Sequence, residues 1–314
     1  MFLEVRSLSK SHGGKPVFSD VSFSLQKGEI VSLIGPSGVG KTTLLKIIAG
    51  LEAQDSGEVA FSRTPDRDNP VILVFQDYLL FPNLTVFDNV AFGLKARKVS
   101  TSEREHRVME LLDYFGLADK RGQYPNQLSA GQRQRVAIAR AMVVNPALLL
   151  LDEPFANLDR NLKAQTAEFI RETQKNFGVT TVVVTHDQEE AFLMSDQVGV
   201  MLSGKLVQFA PAREVYESPV NIEAARFLGP VNVIPQDVAR VCSLAEGDDP
   251  FYARPEQLRI EPSLDGNAVV KNVVFAGHYR KYTVEVEGCS LVVFGSGNGI
   301  RIGERVSLRR VEDK

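Results

Sequence analysis

Apolar and polar side chains alternate from Phe2 to Leu8 and again from Val17 to Leu25, the period of a half-exposed antiparallel sheet. Lys27-Gly28 interrupts the alternation. Glu29 to Ile34 then runs as a strand into a glycine-rich turn, and Lys41 to Leu51 is helix-like, a strand, loop, helix unit. From Asp88 the pattern is helical: Val108, Leu111, Leu112 and Phe115 fall at i, i+3, i+4 and i+7, one apolar stripe that packs into a core. Two apolar runs without alternation, Ala147 to Leu151 and Thr180 to Val184, predict strands buried on both faces of a parallel sheet. Between them Arg160 to Phe177 has helical composition and stops at Gly178, a C-cap residue. Glu29 to Met201 therefore reads as a β/α core with a helical insertion.

Gly229-Pro230, followed by Asn232 and Pro235, marks a boundary. Beyond it come short strand-like pieces, Val269 to Phe275, Tyr282 to Val286, Leu291 to Phe294 and Arg305 to Arg309, punctuated by glycines, which predict a small β-barrel or sandwich. The expected domains are residues 1–230 and 231–314, in keeping with a chain of 314 residues, longer than one core usually organises.

With 44% hydrophobic and 24% charged residues, extensive disorder and a membrane-embedded fold are both disfavoured. Lys plus Arg number 36 against 39 Asp plus Glu, a net charge of -3, which argues against a nucleic-acid surface. Two cysteines, Cys242 and Cys289, form no CxxC pair and supply no soft metal cluster. The start, Met-Phe-Leu-Glu-Val-Arg, lacks the pattern of a secretory signal, and no apolar run approaches the ~20 residues that span a bilayer.

The candidate chemistry lies in the core. Gly35, Pro36, Ser37, Gly38, Val39, Gly40, Lys41, Thr42 and Thr43 form a phosphate-binding loop between a strand and a helix. Its glycines let backbone N–H groups converge on phosphate oxygens, Lys41 neutralises charge, and the Thr42 hydroxyl is a Mg2+ ligand. Alone, the loop implies a nucleoside triphosphate and does not separate kinases, GTPases, helicases and transport ATPases. Leu148 to Glu153 is a strand ending in two carboxylates: Asp152 is placed to hold Mg2+, Glu153 to polarise an attacking water as general base, and the bland alternative is a solvated strand end.

Shortly before that strand stands Leu128-Ser129-Ala130-Gly131-Gln132-Arg-Gln-Arg-Val-Ala-Ile-Ala-Arg. It resembles the signature of ATP-binding cassette (ABC) ATPases, with the phosphate loop and the Asp-Glu strand in the family's order. The resemblance implies a P-loop α/β ABC ATPase core with an N-terminal antiparallel β-subdomain and a helical subdomain. It also implies that Ser129, Gly131 and Gln132 meet the γ-phosphate bound by a second copy, so that ATP is sandwiched in a head-to-tail homodimer. Ala130 departs from the family's usual glycine. Gln76 corresponds to the glutamine that reaches Mg2+ and the attacking water, His186 to the switch histidine, and Asn157-Leu158-Asp159 to the loop that couples the two nucleotide sites. His12 stands where an aromatic ring usually stacks on adenine; a surface histidine in a turn is the equal alternative.

The stretch from Gln76 to Val90 looks like that of bacterial importers of the sulfate, polyamine, iron and sugar group. Tyr78, Leu80, Phe81, Leu84 and Phe87 either line a groove for a permease helix or belong to the helical subdomain's own core. Arg254-Pro255-Glu256 resembles the C-terminal OB-like all-β (TOBE) domain of the same group, and the tail of about 85 residues is shorter than the full regulatory region of its sugar and polyamine members. The resemblance thus implies an ATP-hydrolysing importer subunit using ATP and Mg2+. It would work as a peripheral homodimer on the cytoplasmic face of the membrane, with two separate permease subunits fed by an extracytoplasmic solute-binding protein and with no nucleic acid. Phe227 to Val233 is similar to sulfate-type members, so the expected cargo is an inorganic anion such as sulfate. An exporter ATPase and a soluble, non-transport ABC protein acting on nucleic acid or as a regulator are the rivals; a single cassette and near-neutral charge weigh against the second.

Overall fold

The structure is a computed structural model that describes residues 1–156, 160–244, 251–295 and 299–311; the Asn157-Leu158-Asp159 loop lies outside the described residues. The chain divides into two compact units, Met1–Ala224 and Ala225–Lys314.

In the first unit β1 (Leu3–His12) and β2 (Lys15–Leu25) precede β3 (Ile30–Ile34), α1 (Lys41–Ile48) and β4 (Ser56–Phe61). β1 pairs antiparallel with both β2 and β4. The alternation predicted here is present: Leu3, Val5, Leu8, Val21, Phe23 and Leu25 are buried while their neighbours face outward. α1 stops at Ile48, short of the Leu51 expected from composition, because Gly50 at φ +70° turns the chain in a conformation other residues resist.

β5 (Val71–Val74) opens the helical insertion of α2 (Val86–Ala96), α3 (Thr101–Tyr114) and α4 (Ala130–Met142). Each helix begins at a hydroxyl: Thr85, Ser100 and Ser129 accept from the backbone N–H of Asp88, Glu103 and Gln132. Then follow β6 (Leu148–Asp152), α5 (Arg160–Phe177), β7 (Thr180–Thr185), α6 (Gln188–Met194), β8 (Gln197–Leu202), β9 (Lys205–Pro211), α7 (Ala212–Glu217) and α8 (Ile222–Phe227).

The central sheet has the order β5-β6-β7-β3-β8-β9 and is parallel except for its last pair. Every residue of β3, β6 and β7 is buried, as predicted for strands covered on both faces. The two faces feed two cores. Leu149 and Leu151 join the helical insertion around Val90, Leu112 and Phe115, whereas Leu148 and Leu150 join α1 and the antiparallel sheet around Leu3, Leu25 and Leu44.

The second unit contains β10 (Asn232–Ile234), α9 (Gln236–Val241), β11 (Phe251–Ala253), β12 (Leu258–Pro262), β13 (Ala268–Phe275), β14 (Arg280–Val286), β15 (Cys289–Gly295) and β16 (Arg305–Arg310). The last five strands make an antiparallel sheet ordered β12-β16-β13-β14-β15, the all-β domain expected from the pattern and consistent with the OB-like one the resemblance implies. Tyr282, Val284, Val286, Leu291, Val293, Val306 and Leu308 face its core. The pairing of β10 with β11 was not legible in the sequence, since three-residue strands beside prolines carry too little alternation to register. Two buried polar side chains organise this entry to the unit. Arg254 donates to the carbonyls of Ala225, Gly229 and Pro230 at 2.7, 3.1 and 3.3 Å. Asn232 both donates to and accepts from the backbone of Val292, at 2.8 and 2.7 Å, continuing the hydrogen bonding of the β15 edge with a side chain.

Candidate functional site

Because β5, β6, β7 and β3 run parallel and side by side, the loops that leave their carboxyl ends form one edge. The loop after β3 is the glycine-rich one. Two of its glycines are required by space: a Cβ on Gly35 would lie 2.3 Å from the Met201 carbonyl oxygen, and one on Gly40 would lie 2.9 Å from both Phe18 and Val17. Gly40 caps α1 at φ +104° without any side-chain hydrogen bond, leaving the first amides of the helix to an external acceptor. Lys41 is buried and folds back over the loop, its Nζ donating to the carbonyls of Gly35 at 2.7 Å and Pro36 at 3.1 Å. Burial pulls its ammonium below the ordinary lysine value, opposed by the Glu153 and Asp152 carboxylates. Pro36, Ser37 and Gly38 are exposed, and Val39, Thr42 and Thr43 are half-buried.

Asp152 ends β6, one strand beyond β7, and accepts from the Thr42 hydroxyl at 2.8 Å. It is only 6% exposed, and burial holds its carboxyl above the usual carboxylate range; the Thr42 hydrogen bond opposes this and the neighbouring Glu153 adds to it. Among the described residues no group of three or more His, Cys, Asp or Glu is placed to hold a metal. A hydroxyl and one desolvated carboxylate in contact are the donor set of Mg2+, a hard cation that completes its shell with water and phosphate oxygens rather than a protein cage. The residues present fit that ion.

Glu153 follows at φ +45°, its N–H bonded to the Val184 carbonyl at 2.9 Å. Its Oε2 lies 2.7 Å from Nδ1 of His186, the residue that leaves β7. A carboxylate oriented by an imidazole at the edge that carries the phosphate loop is the arrangement of a general base with an orienting partner. Gln76 is exposed just past β5 on the same edge, and no hydrogen bond joins it to Asp152 or Glu153.

Ser129, Gly131 and Gln132 open α4. Ser129 Oγ accepts from the Gln132 N–H at 3.3 Å, and the Gln132 side chain accepts from the Ser129 N–H at 2.9 Å, a reciprocal cap that Ala130 leaves intact. No hydrogen bond ties this turn to the chain's own phosphate loop among the described residues. His12, half exposed at the end of β1, has the carboxylate of Glu52, in the loop that follows α1, 3.4 Å from its Nε2.

Of the side chains weighed as groove or core, Tyr78 is buried, Leu80 and Phe87 pack against the helical core, Leu84 is half-buried and Phe81 is exposed. Phe81 packs against exposed Phe92, the ring centroids 4.5 Å apart and the planes tilted by 39°, and Leu79 is exposed as well. Three polar residues near the site escaped sequence reasoning. Gln134 and Arg140 lie inside the signature stretch, where they read as ordinary helix residues, and Lys163 pairs with Glu190 at 2.9 Å and Asp187 at 3.3 Å beside His186.

A family model described as ABC transporter matches residues 18–156, and one described as TOBE domain matches residues 252–313. The spermidine/putrescine import ATP-binding protein PotA of Vibrio cholerae is 40% identical, covering 96% of this chain and 86% of that protein. The chain belongs to the ATP-binding subunits of ABC importers. It is an ATPase of the kind that drives transport. The sulfate/thiosulfate import ATP-binding protein CysA 2 of Chromobacterium violaceum is 40% identical over 91% of this chain and 84% of its own. The Fe(3+) ions import ATP-binding protein FbpC of Mannheimia succiniciproducens is 36% identical, over 93% and 90%. Among solved structures, cbiO1 from Clostridium perfringens, part of the ABC transporter complex cbiONQ, has a TM-score of 0.65 at 31% identity, covering 69% of this chain and 91% of that one. No helix of this ATP-binding subunit, among the described residues, is long and apolar enough to cross a membrane.

Proposed function

We propose that this ATP-binding subunit works as a homodimer that closes on two ATP molecules and reopens on hydrolysis, driving two separate permease subunits from the cytoplasmic face of the membrane. The observation that carries this reading is the pair of contacts at one sheet edge: Thr42 to Asp152, and Glu153 to His186.

The backbone N–H groups between Gly35 and Thr43, Pro36 excepted, and the Lys41 ammonium receive the phosphates, for which Lys41 leaves its two loop carbonyls. Thr42 and Asp152 would hold Mg2+, with Gln76 completing the set from the loop after β5; the ion, when bound, would offset phosphate charge and relieve the cost of burying Asp152. Glu153 takes the proton of the attacking water, and the His186 Nδ1–H holds its carboxylate in place. Ser129, Gly131 and Gln132 serve the nucleotide of the partner copy, in keeping with a helix N-terminus that shares no hydrogen bond with its own phosphate loop among the described residues. His12 is assigned to lie beside the adenine, with Glu52 at its Nε2.

The permease contacts are assigned to the exposed Leu79, Phe81 and Phe92, and delivery of solute to an extracytoplasmic binding protein. Relatives named for a polyamine, for Fe3+ and for sulfate align at 40%, 36% and 40% identity, as expected if cargo is chosen by the permease and binding protein. The Phe227 to Val233 phrase favours an inorganic anion, so sulfate is the first cargo to test, with spermidine and Fe3+ as competing outcomes.

Glu153→Gln should keep ATP affinity and lose about 10²- to 10⁴-fold in turnover, the usual cost of removing a general base. With ATP, the same variant should shift from monomer to dimer by light scattering. Near-normal hydrolysis would remove Glu153 from the base role, and the absence of an ATP-dependent dimer would overturn the sandwich.

A further inference from the structure

Pro154, the residue after Glu153, carries a carbonyl that sequence reasoning gave no part. Two buried side chains from different elements donate to it: the Tyr78 hydroxyl at 3.0 Å and the Gln134 amide at 2.9 Å. Tyr78 belongs to the loop after β5, Gln134 to α4. Gln134 is 1% exposed, and its amide oxygen has no hydrogen-bond partner among the described residues. A core position that served packing alone would not retain a buried amide of which one end is unsatisfied, since an apolar side chain of that size costs less. The donated bond to Pro154 is what the amide does there.

The Tyr78 end is under strain. Tyr78 and Leu79 are consecutive non-glycine residues at φ +58° and +39°, and Glu153 itself stands at +45°. Arg140 of α4 holds the first pair, donating to the carbonyls of both Tyr78 and Leu79 at 2.9 Å, with its guanidinium 5.4 Å from the Phe81 ring. The same turn leaves Leu79 and Phe81 exposed. Burial pushes the Tyr78 phenol up to about 12, so it stays a hydrogen-bond donor through neutral pH.

We infer that Tyr78 and Gln134 are positioning residues for Glu153. By gripping the Pro154 carbonyl from two sides they keep Glu153 in the left-handed conformation that brings its carboxylate to His186, and Arg140 latches the strained turn from which Tyr78 reaches. A displacement of the exposed Leu79–Phe81 turn is then felt at Glu153 through one hydroxyl. This rests on the reading of Glu153 as the general base.

The test uses the full-length chain and its ATP hydrolysis. Tyr78→Phe keeps the ring and removes the hydroxyl. It should lower kcat about five- to tenfold, with KM for ATP within about twofold, because a base slightly out of place slows chemistry while the phosphate loop is untouched. Gln134→Met removes the donor together with the unsatisfied oxygen. It should lower kcat similarly while the melting temperature holds or rises, an outcome that a packing role does not produce. In a Glu153→Gln background neither change should slow the residual rate further, since both act through the base. If neither variant alters kcat, or if each slows the Glu153→Gln enzyme by the same factor as the parent, the positioning role is overturned. Near-normal hydrolysis by Glu153→Gln alone is a separate result: it removes the base reading, and this inference with it.

Discussion

The carboxyl edge of the central sheet and the core of the second unit both bury polar groups, to opposite ends. At the sheet edge Lys41 and Asp152 are desolvated against their preferred charge states, Glu153 holds a left-handed backbone, and Gln134 leaves an oxygen unsatisfied. In the second unit the buried Arg254 and Asn232 donate to main-chain carbonyls, and the surrounding core between Ile234 and Leu308 is mostly aliphatic. Buried polarity at the first place is poised for a ligand; at the second it fixes chain geometry. At the sheet edge, strain and poorly compensated burial coincide with groups that an incoming ligand would repay.

The largest effect that would sharpen this contrast belongs to Arg254. Arg254→Ala strands the carbonyls of Ala225, Gly229 and Pro230 and should destabilise the second unit by about 3 kcal/mol. Calorimetry should show that loss while the ATP turnover of the folded chain stays near the parent's. A fall in turnover comparable to that of an active-site variant would break the division of labour.

Lys41→Ala should do the reverse, weakening ATP binding roughly 10- to 100-fold, the loss of a hydrogen bond from a charged group, with little change in melting temperature. Titration with a fluorescent ATP analogue reads this directly, and unchanged affinity would deny Lys41 its phosphate role.

Asp152→Asn gives a smaller effect with a defined sign. Burial raises the Asp152 pKa in the folded state above its unfolded value, so its contribution favours the folded chain at low pH and is lost as pH rises through the folded pKa. The nucleotide-free variant should therefore be at least as stable as the parent at pH 7, and the gap should close on acidification. Denaturant titrations across pH test this; a less stable variant at pH 7 would mean that the Thr42 hydrogen bond outweighs desolvation. Glu190, also raised by burial, is present in both proteins and cancels in the comparison.

The smallest effect is at Cys242. Burial pushes its thiol up to about 11, so alkylation at pH 7.5 should be slow in the folded chain and should rise sharply once the second unit is unfolded. Rapid labelling of the native chain would show that this core opens more readily than its packing implies.

Much of the fold was legible locally. Alternation over β1 and β2, the stripe from Val108 to Phe115, the buried runs of β6 and β7 and the glycine at 178 each express a short-range preference, so they survive in a one-dimensional reading. The phosphate loop and the Asp152-Glu153 strand end are legible for the same reason: a backbone shape and its ligands are contiguous. The groove-or-core question over Tyr78 to Phe87 was not, because it turns on which side of a strained loop faces the helical core. The structure divides it, Tyr78 and Leu80 inward, Leu79 and Phe81 outward.

The sequence by itself thus determined the glycine-rich turn between a strand and a helix, the acidic strand end and the serine-capped turn that opens α4, all carried by neighbours along the chain. Only the tertiary structure decided that Thr42 reaches Asp152 across β7, that Glu153 meets His186, and that Tyr78 and Gln134 converge on the Pro154 carbonyl. These contacts join residues tens of positions apart whose distances are set by strand order and core packing, and no local propensity encodes a strand order.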